Sequence, residues 1–234
     1  MTNQKAPQDR YHFKPFYGSS HRWALDQIKD LSPDSRILDI GPGSGAIGAH
    51  LSSLGFKDLN AVEIDPRARE HLSTLKSYAQ IESEITTYSG KKFDLILLLD
   101  VLEHMPEPEE FLQVACTYLA PQGTLLISVP NIAHWTVRLM LLFGYFNYQE
   151  RGILDRTHLQ FFTKKRVDEC LAKISLKVVE QSVTIDPVEF VLPEYIWNND
   201  IFRFLSKVRL VVAQTFPGLF AYQHLVRLKK PPIS

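Results

Sequence analysis

Two kinds of apolar pattern alternate along much of the chain. The short runs rich in Ile, Leu and Val, which are typical of buried strands, are residues 37–40, 59–62, 93–99 and 123–129. The segments with apolar residues at helical spacing are 20–30, 46–54, 66–78, 109–119 and 164–174. Strands that alternate with helices form parallel βαβ units, so the pattern predicts an α/β fold.

The first of these runs leads directly into a glycine-rich turn, Gly41-Pro42-Gly43-Ser44-Gly45. Glycine has no Cβ atom, so it allows a sharp turn and a close approach between the backbone and a ligand. The helix predicted to follow would direct the N–H groups of its first turn at the same ligand. We therefore expect a nucleotide-like cofactor at Gly41, Pro42, Gly43 and Gly45.

Asp39, which precedes this turn, discriminates between two kinds of cofactor that the glycines alone would allow. Gly41 and Gly43 followed by Ala46 also satisfy the loose dinucleotide fingerprint of NAD and FAD sites. A carboxylate would repel a pyrophosphate, whereas it would attract a cationic ligand group. With this acid ahead of G-x-G-x-G, the chain resembles the class I S-adenosylmethionine-dependent methyltransferases. The resemblance implies S-adenosylmethionine, which carries an ammonium and a sulfonium, as the cofactor.

Three further acids match motifs of this family. The resemblance implies that Glu63, at the end of the second strand, accepts hydrogen bonds from the ribose hydroxyls, with Ile64 packed on the adenine ring. Asp100 lies in a segment, residues 93–105, that looks like the fourth-strand signature of the quinone-biosynthesis type of methyltransferase. Glu84, in a third strand predicted at residues 81–85, falls where the family often places an acid for the adenine amino group.

The family's fold supplies an expected topology for the rest of the chain. It implies a Rossmann-like, seven-stranded, mostly parallel sheet, and the resemblance covers residues 20–185. The pattern at 175–185 suggests the sixth strand and that at 219–228 the seventh, so residues 186–217 would be an insertion between them. We expect a flexible arm at residues 1–19 and a single domain over residues 20–234.

The segment after the fifth strand carries the information about the methyl acceptor. A predicted helix at 132–143 places Trp135, Leu139 and Leu142 on one face, and an aromatic-rich loop follows at 144–148. We interpret residues 132–162 as a lid and acceptor region. The alternative, that the apolar face packs on the core, remains open, and the two interpretations are compatible.

Asp155, Arg156, Thr157 and His158 are consecutive polar residues ahead of an apolar stretch. The segment is similar to a motif in bacterial methyltransferases associated with cell-surface polysaccharide and lipopolysaccharide synthesis. Similar sequences around the lid also occur in a family resembling a methionine-biosynthesis methyltransferase. The first resemblance implies a sugar or a lipid-linked glycan precursor as the acceptor.

Transfer of a methyl group to a hydroxyl requires that a base take the hydroxyl's proton. Histidine is the usual choice, because its unperturbed pKa is about 6.5. His158 is the first candidate, with Asp155 or Arg156 orienting it or binding the acceptor, and His104 is the second. The alternative is that either histidine is a hydrogen-bonded structural residue.

Charge and composition restrict the partners and the compartment. The formal net charge is zero, so we expect no nucleic-acid partner. Cys116 and Cys170 have neither metal-ligand spacing nor a disulfide framework, so we expect no metal site and a reducing cytoplasm. No apolar run approaches the length of about 18 residues that a transmembrane helix needs.

The net charge conceals a basic C-terminal region. Residues 201–234 contain six Lys or Arg and no Asp or Glu. Apolar residues at 201–212 are interleaved with Arg203, Lys207 and Arg209, which is typical of a basic amphipathic helix. Residues 201–230 could therefore contact the inner face of an anionic membrane. Packing on the sheet or across a homodimer interface is the alternative.

We therefore expect a methyltransferase that O-methylates a sugar or a lipid-linked glycan precursor. A quinone-like small molecule is the alternative acceptor. A third hypothesis is a cofactor-binding partner subunit that transfers no methyl group itself.

Overall fold

The computed structural model describes residues 13, 14, 16–190, 192–197 and 199–231. Its central feature is a seven-stranded sheet with the strand order β3-β2-β1-β4-β5-β7-β6. The strands are β1 (Ile37–Ile40), β2 (Leu59–Val62), β3 (Gln80–Glu82), β4 (Phe93–Leu99), β5 (Leu119–Pro130), β6 (Lys177–Val183) and β7 (Gln223–Lys229). The predicted α/β class and the mostly parallel seven-stranded sheet are confirmed.

The pairing directions place one reversed strand inside a parallel sheet. β1 pairs in parallel with β2 and with β4, and β4 pairs in parallel with β5. β7 pairs antiparallel with β5 on one side and with β6 on the other. Because β1, β2 and β4 run in one direction, their carboxyl ends meet at one edge of the sheet, where open α/β sheets bind their ligands.

Helices connect the strands. They are α1 (Ser20–Gln27), α2 (Ala46–Ser53), α3 (Pro66–Leu75), α4 (Pro108–Thr117), α5 (Trp135–Leu142), α6 (Lys164–Leu171), α7 (Glu194–Trp197), α8 (Asp200–Thr215) and α9 (Pro217–Phe220). Several begin at the residues that favour a helix start. Ser19 and Thr163 accept backbone N–H groups of the first turns of α1 and α6, and Pro66 opens α3.

The core lies on both faces of the sheet, because alternate residues of each central strand point to opposite sides. Leu38 and Ile96 belong to one buried cluster, which also contains Phe162 and Val167 from the α6 side. Their chain neighbours Ile37, Leu95 and Leu97 belong to the other cluster, which α1 and α2 cover. Burial on both faces explains why β4 is apolar without interruption from Leu95 to Leu99.

The structure corrects the predicted bounds of three strands. β3 ends at Glu82 instead of residue 85, because Ile85–Tyr88 form a 3-10 turn whose Ile85 and Tyr88 side chains are buried. β5 begins earlier than predicted, at Leu119, which pairs with Phe93 ahead of a register shift. β7 begins later, at Gln223, because the short helix α9, which starts at Pro217, extends into the range predicted as strand.

The insertion predicted at residues 186–217 lies between β6 and β7, which are neighbours in the sheet. It contains a 3-10 turn, α7 and α8. Of the predicted arm, residues 1–12 and 15 lie outside the described residues. Its remaining part contacts the domain, because Ile185 N–H donates to the Gly18 carbonyl.

Within the described residues, no helix combines the length and the apolar character that crossing a membrane requires.

Candidate active site

The glycine-rich turn after β1 has the backbone conformation that only glycine adopts without strain. Gly41, Gly43 and Gly45 have φ angles of +67°, +57° and +72°. A Cβ atom on Gly41 would lie 2.9 Å from Val101 Cγ2, and one on Gly45 would lie 2.5 Å from Leu72 Cδ2. Glycine is therefore required at both positions by conformation and by space.

This turn borders a cavity of about 370 Å³ at the carboxyl ends of β1, β2 and β4. The predicted cofactor residues that line it are Asp39, Gly41, Pro42, Gly43, Glu63, Ile64 and Asp100. Gly45 is not among the lining residues; it caps the N-terminus of α2. The sequence motifs of three strands thus meet at one site, which is called the cofactor cavity below.

Asp39 is a buried carboxylate in the wall of the cofactor cavity, only 6% exposed. Burial raises its pKa to about 6, although a hydrogen bond from Tyr78 acts in the opposite direction. That bond joins Tyr78 Oη to Asp39 Oδ2 at 2.7 Å. A buried carboxylate with one neutral donor favours a cationic ligand group, as expected from the sequence.

Glu63 and Ile64 form the rim after β2. Burial raises the pKa of Glu63, and the Asp65 backbone N–H donates to Glu63 Oε1 at 3.0 Å. Ile64 is 83% exposed, so its side chain is open to a ligand. Arg69 Nη1 donates to the carbonyls of both residues and so fixes the turn that carries them.

Asp100 follows β4 and has a φ of +58°, in the left-handed region. Gln223 Nε2 donates to its two carboxylate oxygens at 2.6 and 2.7 Å, and Ser128 Oγ donates to Oδ1 at 2.6 Å. Ser128 lies on β5 and Gln223 on β7, so two strands fix this side chain at the end of a third, β4. Neither partner was predicted, because neither is close to Asp100 in the chain.

Lys14 and His21 line the cofactor cavity from the N-terminal side. The Lys14 backbone N–H donates to His21 Nδ1 at 3.1 Å, so the proton of a neutral His21 ring is on Nε2. Burial lowers the pKa of His21 to about 3, with the charge of Lys14 acting in the same direction. His21 is therefore a neutral hydrogen-bond donor. No sequence motif pointed to it or to Tyr78.

Glu84 does not occupy the position expected for an adenine-binding acid. It is exposed, lies beyond the end of β3, and accepts a hydrogen bond from Thr86 Oγ1 at 3.1 Å. The cofactor cavity is lined by other residues. The early end of β3 explains the difference, because it places Glu84 at the start of the 3-10 turn.

The structure brings the two candidate catalytic histidines together. The ring centroids of His104 and His158 are 5.0 Å apart, in an edge-to-face arrangement. His104 and Thr157 line the cofactor cavity, whereas His158 is not among the lining residues. Of the two, His104 is therefore the one in direct contact with the space that a cofactor would share with an acceptor.

Asp155 does not orient His158 as expected. Its Oδ1 accepts hydrogen bonds from the backbone N–H and the Oγ1 of Thr157, at 2.9 and 2.7 Å. The His158 ring is oriented by the Ile153 carbonyl, 3.2 Å from its Nδ1 atom. The short Asp155 side chain reaches the turn that follows it and closes that turn locally. Arg156 is exposed.

The residues of the cofactor cavity fit S-adenosylmethionine. Asp39 offers a buried carboxylate to an ammonium, Glu63 offers one to ribose hydroxyls, and the backbone at Gly41 and Gly43 is open to a ligand. A dinucleotide would instead bring its phosphates toward the Asp39 carboxylate, whereas Glu63 would suit the ribose of either cofactor.

Comparisons with known proteins point the same way. A family model described as a methyltransferase domain matches residues 19–181. The ubiquinone biosynthesis O-methyltransferase of Rhodopseudomonas palustris is 28% identical over 63% of this chain and 60% of its own length. That of Xanthomonas campestris pv. campestris is 27% identical over 42% of this chain and 44% of its own length. The matched region is thus less than two thirds of each relative.

Solved structures share the fold at lower identity. An N-methyltransferase from Bradyrhizobium japonicum, crystallised with S-adenosyl-L-homocysteine, aligns with a TM-score of 0.56 and 18% identity. The alignment covers 90% of this chain and 85% of that one.

Proposed function

Because this chain belongs to the methyltransferase-domain family and has the class I S-adenosylmethionine-dependent methyltransferase fold, we propose that it transfers a methyl group to a hydroxyl oxygen of a sugar or a lipid-linked glycan precursor. The observation that carries the choice of donor is the buried Asp39 carboxylate beside the left-handed glycines of the turn. The choice of acceptor depends on the lid and on α8.

S-adenosylmethionine, when bound, supplies an electrophilic methyl group on a positively charged sulfur. The protein's residues would hold it in place from three sides. Asp39 would attract the ammonium, Glu63 would accept hydrogen bonds from the ribose, and the exposed Ile64 would pack on the adenine. His21 would donate from Nε2 into the same cavity.

The acceptor oxygen must form its bond to the methyl carbon as the carbon–sulfur bond breaks, and it must lose its proton. Holding the two reactants in line is a large contribution that a protein can make to such a displacement. Activation of the hydroxyl falls to the end of the cavity where His104 lies. Thr157 lines the same end and has a hydroxyl that can position the acceptor.

Exposed aromatic side chains support a sugar as the acceptor. Trp135 of α5 and Tyr145 and Tyr148 of the following loop are exposed, as are Leu139 and Leu142. Aromatic rings present a flat apolar face together with a polar edge, which suits the faces of a sugar ring. The face of α5 that carries Trp135, Leu139 and Leu142 is thus open to solvent, and Val137, on the opposite face, is the buried residue of the helix.

The insertion supports an acceptor that is attached to lipid. α8 presents an apolar stripe to solvent, formed by Ile201, Phe204, Leu205, Val208, Val211 and Val212. Ile201 is 75% exposed and Phe204 is 63% exposed. Lys207 and Arg209 flank the stripe, and the chain from residue 201 onward has no acid. An apolar face flanked by cations is complementary to an anionic bilayer surface.

A quinone-like phenol is the second candidate acceptor, and the curated relatives favour it. Both are named ubiquinone biosynthesis O-methyltransferases. A phenol would place the same demands on the donor site, and it would need an apolar acceptor pocket beneath α5.

Transfer of a labelled methyl group from S-adenosylmethionine into fractionated cell extract tests the proposal. We expect label in the glycan or lipid-linked glycan fraction, and loss of that label with Asp39→Asn but not with the exposed Asp34→Asn. Label in the quinone fraction would show that the acceptor is the second candidate, a quinone-like phenol. Cofactor binding without label in any fraction would favour a partner subunit that does not itself transfer the methyl group.

A further inference from the structure

Glu103, His104 and His158 form a cluster at the acceptor end of the cofactor cavity, called the histidine cluster below. One ligand atom from each of the three residues lies within 4.8 Å of those of the other two. Glu103 and His104 belong to a 3-10 turn after β4, and His158 comes from the lid region. The backbone N–H groups of Leu159 and Gln160 donate to the Glu103 carbonyl and hold the two segments together.

The hydrogen bonds of the two imidazoles decide where their protons are. His104 Nδ1 lies 3.1 Å from the Thr157 carbonyl, and His158 Nδ1 lies 3.2 Å from the Ile153 carbonyl. A carbonyl oxygen only accepts, so each Nδ1 must carry the proton. A neutral ring then has an unprotonated Nε2 atom with a free lone pair. Burial lowers the pKa of His158, and the adjacent His104 lowers it further, which favours the neutral ring.

The carboxylate of Glu103 lacks the partner that a buried acid needs. The residue is 1% exposed, and neither carboxylate oxygen has a hydrogen-bond partner among the residues that the structure describes. Its Oε1 atom is 4.0 Å from His158 Nε2, which is beyond hydrogen-bond distance. Burial raises the pKa of Glu103 well above its ordinary value, and the charge of Asp100 acts in the same direction.

With Glu103 ionised, the three residues present lone pairs to one another, and either a proton on Glu103 or a bound cation relieves this arrangement. We propose that Glu103, His104 and His158 bind a divalent transition-metal cation, of which Zn²⁺ is the representative. Two imidazole nitrogens and one carboxylate are a common ligand set for such ions, and they leave one or more coordination positions open. Histidine ligands usually donate their second ring N–H to a backbone carbonyl or a carboxylate, which is the arrangement that Thr157 and Ile153 provide.

The spacing is slightly wider than that of ligands on one ion. Zinc lies about 2.0 to 2.2 Å from nitrogen and oxygen ligands, so two ligands of a tetrahedral ion are about 3.3 to 3.6 Å apart. Glu103 Oε1 and His158 Nε2 are 4.0 Å apart, and the three ligand atoms lie within 4.8 Å of one another, so the side chains would move closer together to bind the ion. Burial is the main cause of the raised pKa of Glu103, the negative charges of Asp100 and Asp155 add to it, and these charges would also attract a cation.

The position of the histidine cluster beside the cofactor cavity gives the ion a role in activating the acceptor, and this role rests on the proposed function. His104 lines the cofactor cavity, so an open coordination position would face the acceptor. A hydroxyl bound to a divalent cation loses its proton more readily, and here the proton would pass to water in the open cavity. The acceptor oxygen would then attack the methyl carbon as an alkoxide while the carbon–sulfur bond breaks, which leaves its electron pair on the sulfur of S-adenosylhomocysteine.

Metal binding can be measured without any acceptor. The full chain, treated with chelator and dialysed, is titrated with Zn²⁺ by calorimetry, and its metal content is determined after a second dialysis. We expect one ion per chain, with affinity lowered at least about tenfold by Glu103→Gln and by His158→Ala. Glu189→Gln is the matched control, since Glu189 is also buried with an unpartnered oxygen but lies in the insertion. His71→Ala controls for the loss of an imidazole outside the cluster.

A second measurement on the unsubstituted chain covers the case in which a variant fails to fold. Co²⁺ bound to two imidazoles and a carboxylate gives visible absorption bands, which Zn²⁺ should abolish by displacing it. The inference is overturned if the chain binds S-adenosylhomocysteine but neither metal, or if both cluster variants bind Zn²⁺ as tightly as the controls do. Metal binding without methyl transfer to any acceptor would instead overturn the proposed function alone.

Discussion

Asp39 links the chemistry of the donor site to pH. Its pKa in the fold is about 6, raised by burial from an ordinary value of 3.8. If its ionised form binds the ligand's ammonium, affinity should fall about tenfold between pH 7 and pH 5, because about nine tenths of the side chains are protonated at pH 5. Calorimetry with S-adenosylhomocysteine measures this, and Asp39→Asn should give a weak, nearly flat profile. An unchanged profile in the variant would show that another group titrates.

The raised pKa of Asp39 makes stability and ligand affinity depend on pH in opposite directions, because protonation weakens binding and stabilises the fold. A carboxyl group whose folded pKa exceeds its unfolded pKa favours the fold when it is protonated, and that contribution is lost as pH rises from about 4 through 6. We expect Asp39→Asn to raise the free energy of unfolding at pH 7 by about 1 to 3 kcal/mol in the ligand-free protein. Little difference from the unsubstituted protein should remain at pH 4. Urea unfolding at the two pH values checks both statements.

Two effects oppose a side chain at Gly41, the left-handed backbone and the contact with Val101. Gly90 has only the first of these, so comparing the two positions separates the effects. Gly41→Ala would place a Cβ atom 2.9 Å from Val101 Cγ2 on a backbone with φ +67°. Gly90 has a φ of +82° and no atom within 4 Å of the position that a Cβ would take, so Gly90→Ala carries only the conformational cost, of about 1 to 2 kcal/mol. Chemical denaturation should show the larger loss for Gly41→Ala. Equal losses would mean that Val101 moves away freely.

At the scale of elements, β7 supports the end of β4. Gln223 donates to both oxygens of Asp100 and accepts a hydrogen bond from Thr184 Oγ1. Gln223→Leu would leave Asp100 with fewer donors, and we expect a loss of about 1 to 3 kcal/mol in the free energy of unfolding. Binding of S-adenosylhomocysteine should weaken as well, since Asp100 lines the cofactor cavity. Gln181→Leu, on neighbouring β6, is the control, because Gln181 bonds to the exposed Asp168. Unaltered ligand affinity in Gln223→Leu would contradict a binding role for Asp100.

The sequence was sufficient for the elements whose signals are local. Asp39 and Gly41 belong to one strand and its turn, so their proximity follows from the chain itself, and the family was confirmed. Tyr78 contacts Asp39 only because α3 packs on the sheet and places the residues that follow it beside β1. Gln223 contacts Asp100 only because β7 pairs with β5 in the sheet. The histidine cluster joins residues 103, 104 and 158 in the same way. No periodicity in the chain encodes such contacts.

At the scale of the whole molecule, the apolar stripe of α8 predicts a peripheral location. Pelleting with vesicles that contain phosphatidylglycerol should be strong at low salt and weak at high salt. The reason is that salt screens the attraction between the anionic lipids and the cationic side chains beside the stripe. Phe204→Glu combined with Val208→Glu should reduce pelleting at least about tenfold. Leu54→Glu adds a like charge at an exposed leucine outside α8 and should change little.

A different result would show that the stripe binds a second copy of the chain and not a membrane. If the doubly substituted chain loses self-association in sedimentation equilibrium while neither chain pellets with vesicles, the stripe is an interface between two copies of the chain. The proposal of a lipid-linked acceptor would then lose its support from α8.

The position of β7 determines when this site can be completed during synthesis. The last strand of the sheet enters between β5 and β6, so β6 has its pairing partner only after residues 223–229 have left the ribosome. The glycine-rich turn and Glu63 are made well before Gln223, the side chain that fixes Asp100. A nascent chain stopped before Gln223 would therefore hold its donor-binding residues on an unfinished sheet, exposed to chaperones and proteases. Ligand binding during translation should appear only once this strand is in place.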